Sequence, residues 1–318
     1  MPDPKHQRSD YSHWDSTEGD MWSRLVALFR NIAGTVSISG QPINVTATTP
    51  LNVTLDEPIE VTGGNPSTTP VTIIDTHEAL VFSLVTGFTS YSKFGYNPTI
   101  DNSATEDIWS VGGTRVWLST ATALEILSSS GSDDVGSSGA TKVTIQGLDN
   151  NWDLAEATVS MDGATPVALP GTWFRINRMF VAEVGTYAGN NVGNITLRIP
   201  GPGATQAFIA ATVGQTEQTH FSCPRNTVAC LQTVYISTDS TKVIDATVWQ
   251  NANISDVTTP FGGAKRKVFG VTGLQGSMSH VYEAHPILTG PCDIWWSATS
   301  HANGTEVEAG FDLLLKVN

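Results

Sequence analysis

The residues most able to do chemistry lie in two short stretches. His280, Glu283 and His285 form a candidate metal-ligand set in "SHVYEAHP". If the segment is a strand, however, histidines five apart point to opposite faces, because side chains alternate. Surface positions are therefore expected, with no metal. Asp149, Asn151 and Asp153, in "LDNNWD", begin like a calcium loop with acidic or amide oxygens two residues apart. Position six is Leu154 where such a loop needs Gly, and position twelve is Ser160 where it needs Glu, so the stretch reads as a turn. Asp133, Asp134 and Asp162 could supply a pair of carboxylates for glycoside hydrolysis, but an acidic chain offers such pairs without any site. No Gly-x-Ser-x-Gly elbow, His-Glu-x-x-His helix, Walker loop or dinucleotide fingerprint is present. The chain therefore reads as a protein without catalytic activity, cofactor or metal.

Charge and cysteine content narrow the classes further. Asp and Glu total 30 against 16 Lys and Arg, a net charge of −14 over 318 residues. With no basic stripe, a nucleic-acid partner is not expected. Cys223, Cys230 and Cys292 are odd in number and include no Cys-x-x-Cys. A 223–230 bridge is open in principle, but three reduced, mostly buried thiols fit better. The N-terminal "MPDPKHQRSDYSHWDSTEGD" has no apolar core, and no apolar run approaches a membrane span. Neither a signal peptide nor a membrane partner is expected, which places synthesis in a cytoplasm.

These residues must be positioned by strands. Period-two pairs recur at Val116/Leu118, Leu124/Ile126, Val143/Ile145, Val159/Met161, Phe174/Ile176, Ile195/Leu197/Ile199, Val234/Ile236 and Phe311/Leu313/Leu315/Val317. Gly- and Asp-rich turns separate them, a pattern that predicts an all-β fold with a β-sandwich or jelly-roll main domain. The polar stretch 89–109 reads as a loop, and 74–88 as a helix leading into that domain. Residues 71–318 form the main domain, with two subdomains dividing near 225–265.

The N-terminal part is different. Trp22, Leu25, Phe29 and Ile32 are spaced three, four, three, which predicts a short amphipathic helix with Asp20 as N-cap and Gly34 as stop. Residues 1–34 thus read as an arm and anchor helix. In 35–70, eight-residue units repeat with Pro42, Pro50 and Pro58 in register, each just before an apolar pair: Ile43/Val45, Leu51/Val53 and Ile59/Val61. Proline is confined to strand starts and edges, so these are very short strands. Two aliphatics per unit cannot offset a backbone entropy of roughly 1–2 kcal/mol per residue. The unit needs neighbours, and copies of the same chain are the economical ones. A self-associating, trimeric β stalk is expected, with a flexible Thr/Pro-rich linker as the competing reading.

An ordered set of motifs carries a resemblance. Ser128–Ser130, Asp133–Asp134, Gly136–Gly139, Val143–Asp149, Glu156–Gly163, Arg175–Arg178 and Asn191–Thr196 together resemble a segment of virion structural proteins of tailed phages, especially phages of marine bacteria and cyanobacteria. The 41–64 repeats are similar to stalk regions of phage appendage proteins. The resemblance spans roughly residues 109–230, implies a particle component and brings no catalytic residues. The resemblance alone does not fix which component; joined to the expected anchor helix and β stalk, it is read as an oligomeric fibre or spike at the neck, tail or capsid vertex, located in the virion and attached to other virion proteins through its N-terminal region. A capsid decoration protein is the alternative within that class. A carbohydrate-binding module or glycan hydrolase is the alternative outside it, with a host-surface glycan as partner, since paired aromatics such as Trp295–Trp296 would suit sugar stacking if exposed.

Overall fold

The computed structural model describes residues 34–38, 41–45, 86–257 and 263–317. The chain divides into two units, Met1–Thr76 and His77–Asn318. In the first, β1 (Gly34–Ile38) and β2 (Gln41–Val45) pair antiparallel, with Val36 opposite Ile43 and Ser37 opposite Pro42. The remaining repeat positions Leu51, Val53, Ile59 and Val61 lie outside the described residues. So does the expected helix of Trp22, Leu25, Phe29 and Ile32.

The described part of the second unit is all-β, with seventeen strands and no helix. The strands are β3 (Phe88–Ile100), β4 (Thr105–Asp107), β5 (Glu125–Ser128), β6 (Ala140–Asp149), β7 (Leu154–Ser160) and β8 (Val167–Ala168). They continue with β9 (Trp173–Val184), β10 (Ile195–Arg198), β11 (Thr205–Ile209), β12 (Phe221–Cys223), β13 (Thr227–Thr238) and β14 (Ile244–Ala252). The last are β15 (Lys265–Leu274), β16 (Ser277–Val281), β17 (Ile287–Thr289), β18 (Cys292–Ser300) and β19 (Thr305–Val317).

Two hydrophobic cores organise them. The larger lies between the sheet β16-β13-β19-β3, with β17 beside β13, and the sheet β12-β18-β14-β15, with β4 beside β18. Phe311, Leu313 and Leu315 of β19 meet Ile294 and Trp296 of β18 and Val248 of β14 in this cluster. A bulge keeps β13 in phase with it. Leu231 pairs with Leu313, Gln232 is passed over, and Thr233 pairs with Asp312. The extra residue shifts the inward positions from odd to even, so Ala229, Leu231, Val234 and Ile236 are all buried. The smaller core lies between β7-β6-β9 and β11-β10-β5-β8, where Val143, Ile145, Ile176 and Met179 face Ile126, Ile195 and Leu197. Residues 124–209 therefore form a second half set into the chain between β4 and β12. The segment 225–265, expected to divide two subdomains, instead supplies β13 and β14 to the larger core.

Three sequence expectations are corrected. Val116 and Leu118 lie in an irregular connection, with Val116 exposed and Leu118 buried. Phe88, the expected end of a helix, opens a strand. The expected loop at 89–109 is largely β3, thirteen residues long. The reason is an inverted pattern. Lys93, Gly95 and Asn97 face inward while Phe94 is exposed, so the hydrophobic alternation that marks a half-buried strand is absent.

Candidate functional site

The inward face of β3 leads to the densest group of buried polar side chains. Gly95 lets two backbones press on the strand, since a Cβ there would meet Ile108 O at 2.5 Å and Thr219 N at 2.6 Å. These backbones belong to the two connections between the halves. Lys93 Nζ donates to Asn177 O of β9 at 2.5 Å, and Asn97 Nδ2 donates to Asp107 O at 3.1 Å. The Asn177 side chain in turn pairs with the backbone of Ser222 on β12, donating to its carbonyl at 3.0 Å and accepting from its N–H at 2.8 Å.

A charge pair closes the seam. Arg175 on β9 forks onto Asp293 on β18 through Nε at 2.9 Å and Nη2 at 3.0 Å, and its Nη1 donates to the carbonyls of Leu118 and Phe174. Ser222 Oγ donates to the same carboxylate. Both charges are buried, and the guanidinium lies against the rings of Trp117 and Trp152 at about 5 Å. The bidentate geometry and the two further carbonyl acceptors are what a buried ion pair needs to offset its desolvation. The Arg175 head is thus buried along with its stem.

Nearby, His220 Nε2 meets Asp107 Oδ2 at 3.0 Å, with Trp109 and Trp117 edge-on to the ring. Burial pulls the imidazole down to about pKa 4, against the opposing pull of Asp107. The ring is neutral at pH 7 and its proton sits on Nε2, leaving Nδ1 without a partner. Arg115 donates to Ile176 O, as does Gln218, and Arg115 Nε and Gln218 Oε1 are likewise unpartnered. Lys93 is held well below the usual lysine range by burial first and then by Arg115 and Arg178. A His–Asp pair beside a basic lysine could relay protons, but His220 has no exposed surface and Asp107 only 4%. What this arrangement does is fasten β9 of the smaller half to β12 and β18 of the larger.

The second polar centre is Asp133. Its carboxylate accepts from Ser128 Oγ at 2.6 Å and from the N–H groups of Ala140, Val192 and Gly193 at 2.9, 2.7 and 2.8 Å. Its carbonyl accepts from Gly163 N. Fully buried and saturated, Asp133 is a hub for three loops rather than a hydrolytic acid. Asp134 and Asp162 form an isolated backbone bridge beside it.

The remaining sequence candidates lie in a turn, on the surface or in the core. Asp149 Oδ1 accepts from the N–H groups of Asn151 and Asp153, closing the β6–β7 turn, in which Trp152 has φ 64°. Asp153 is paired with Arg225. His280, Glu283 and His285 are exposed, and His280 stacks on Phe269. Among the described residues, no three His, Cys, Asp or Glu side chains are grouped to hold a metal. Trp295 and Trp296 are both buried, so that pair offers no sugar platform. The three cysteines are free; Cys223 and Cys292 face each other across β12 and β18, and the Cys292 contact, with burial, pushes the Cys223 thiol up. Sequence reasoning missed the seam entirely. Its one local trace was a lysine, a glycine and an asparagine spaced two apart at 93, 95 and 97.

No protein-family model and no curated protein matches the chain. Among solved structures, the D431N mutant VP2 protein of infectious bursal disease virus aligns at 10% identity and TM-score 0.23, covering 73% of this chain and 70% of that one. The structure of the Gt strain of the same virus aligns at 11% identity and TM-score 0.21, covering 80% and 76%. Likenesses this slight establish neither a common fold nor a common function.

Proposed function

We propose that the protein is a structural component of a tailed-phage virion: a trimeric fibre or spike, fixed to other virion proteins through its N-terminal region and displaying the two-core unit outward. One observation supports the reading above the others. The motifs that resemble virion proteins are dispersed over about seventy residues of sequence, yet they meet in space. Ser128, Asp133, Gly163, Val192 and Gly193 share the hydrogen bonds of one buried carboxylate and its backbone. A pattern that specifies a loop hub and a seam arginine is a pattern for holding a rigid shape, which is the requirement on a particle component. The finer description of each half as a β-sandwich of jelly-roll type belongs to the same proposal, as does the absence of catalysis. No helix among the described residues is long and apolar enough to cross a membrane.

The test is labelling of intact particles with antibody fragments raised against residues 77–318, followed by negative-stain imaging. Label at the neck, tail or vertices is expected. Label spread evenly over the shell would replace the fibre with a decoration protein, and no label on purified particles would overturn the virion assignment.

A further inference from the structure

The inward face of β3 is covered unevenly. Lys93, Gly95 and Asn97 are buried, Tyr91 is half-buried, and Thr89, at the start of the strand, is exposed. That uncovered end opens into a groove of about 310 Å³ where the two halves meet. Thr89, Tyr91 and Leu315 belong to its wall on the larger half, and Leu154 to its wall on the smaller. The surface is mostly apolar, with the Tyr91 ring set against Phe221 at 4.6 Å. The two amides that reach it are engaged. Gln146 donates to Glu156 at 2.7 Å, and Asn177 is taken up by the backbone of Ser222. Leu154 is 62% exposed, so apolar surface on this strand is left in water.

The chain itself brings a complement to the open end. Thr86 and Gly87, immediately before β3, form a turn in which Gly87 has φ 83°. Two residues on, Thr89 already lines the groove. Residues 79–85 read ALVFSLV, an uncharged run in which Ser83 is the single polar residue. This run belongs with the same unit, which begins at His77.

We propose that residues 79–85 dock in this groove, laying apolar side chains between Tyr91 and Leu154 and so joining the two halves where the chain enters the unit. An aliphatic run and an apolar groove each stay costly in water, and each is the other's nearest cover. A second copy or a small apolar molecule would have to displace a segment tethered beside the site, whose effective concentration is on the order of millimolar. Docking also changes where a load acts. Tension arriving from residue 76 would otherwise fall on Phe88, which pairs with Lys316 at the end of the β3–β19 ladder, and would peel that ladder from its end. A docked segment shares the load between both halves. The inference does not rest on the virion reading.

The experiment is disulfide trapping in the full chain. Leu154→Cys, at an exposed position, is combined in turn with Leu80→Cys, Val81→Cys, Phe82→Cys, Leu84→Cys and Val85→Cys, and each protein is oxidised with copper phenanthroline. Leu154→Cys alone controls for the native cysteines. A disulfide needs Cα atoms within about 7 Å, so one or two pairs should close within a single chain, identified by peptide mass mapping. The proposal is overturned if no pair closes, if the links join two chains, or if all five pairs close equally, as a loose segment passing the groove would give. Binding of the apolar dye anilinonaphthalene sulfonate is the second measurement. The wild type and Leu154→Arg should bind it equally, because the groove is already filled. Dye bound by the wild type and lost in Leu154→Arg would show a groove open to a separate apolar ligand and would overturn the docking.

Discussion

Removing Asp293 tests the seam directly. In Asp293→Ala, Arg175 keeps its place on β9 but loses two charge-assisted hydrogen bonds, and Ser222 Oγ loses its acceptor. The guanidinium is 4% exposed and boxed by Trp117 and Trp152, so water cannot take over without opening the seam. Breaking one partner of such a buried pair costs about 3–5 kcal/mol. For a unit of this size, 1 kcal/mol corresponds to about 2–4 °C, so the melting temperature should fall by about 6–20 °C. The double variant Arg175→Met/Asp293→Leu removes both charges and should be less destabilised than Asp293→Ala, because no orphan charge remains. Circular dichroism melts of the wild type and the two variants make the comparison. A drop under about 2 °C for Asp293→Ala, well below the cost of an orphaned buried charge, would refute the seam as a clamp.

His220 makes stability pH-dependent. Its folded pKa of about 4 lies below the unfolded value of about 6.5, so the unfolded chain takes up the proton first. Its contribution is complete above pH 6.5 and is lost as pH falls toward 4, about 3 kcal/mol at 1.36 kcal/mol per unit; urea titrations from pH 7 to pH 4 should show this, and His220→Gln should flatten the curve. Gly95→Ala forces a Cβ onto two backbones and should cost at least as much as overpacking a core, about 1–3 kcal/mol, read as a lower urea midpoint at unchanged slope. Asp133→Ala leaves the buried Gly193 N–H without an acceptor at about 1–3 kcal/mol and frees the loops at 129–139 and 185–194. Hydrogen exchange should quicken at residues 192 and 193 while the β13–β19 ladder keeps its protection; uniform quickening would count against a local hub.

Local pattern was enough to specify the all-β class and most strands of the two cores. Phe311, Leu313 and Leu315 are inward because side chains alternate along a strand, and nothing distant is needed to see it. The closing of the 149–153 stretch as a turn was legible for the same reason, since Asp149 bonds within four residues of itself. What tertiary structure decided is the set of buried polar pairs that span the fold. A buried polar group is tolerable only when its partner is present, and here the partners lie far along the chain: Arg175 and Asp293 are 118 positions apart, Lys93 and Asn177 are 84, Asp133 and Gly193 are 60. The strand β3 was hidden for that reason, because its inward residues answer to another sheet's hydrogen bonds rather than to a hydrophobic period. The Gln232 bulge that keeps β13 in phase, and the insertion of one core's residues between β4 and β12 of the other, likewise follow from pairing across the fold, which no window of neighbouring residues contains.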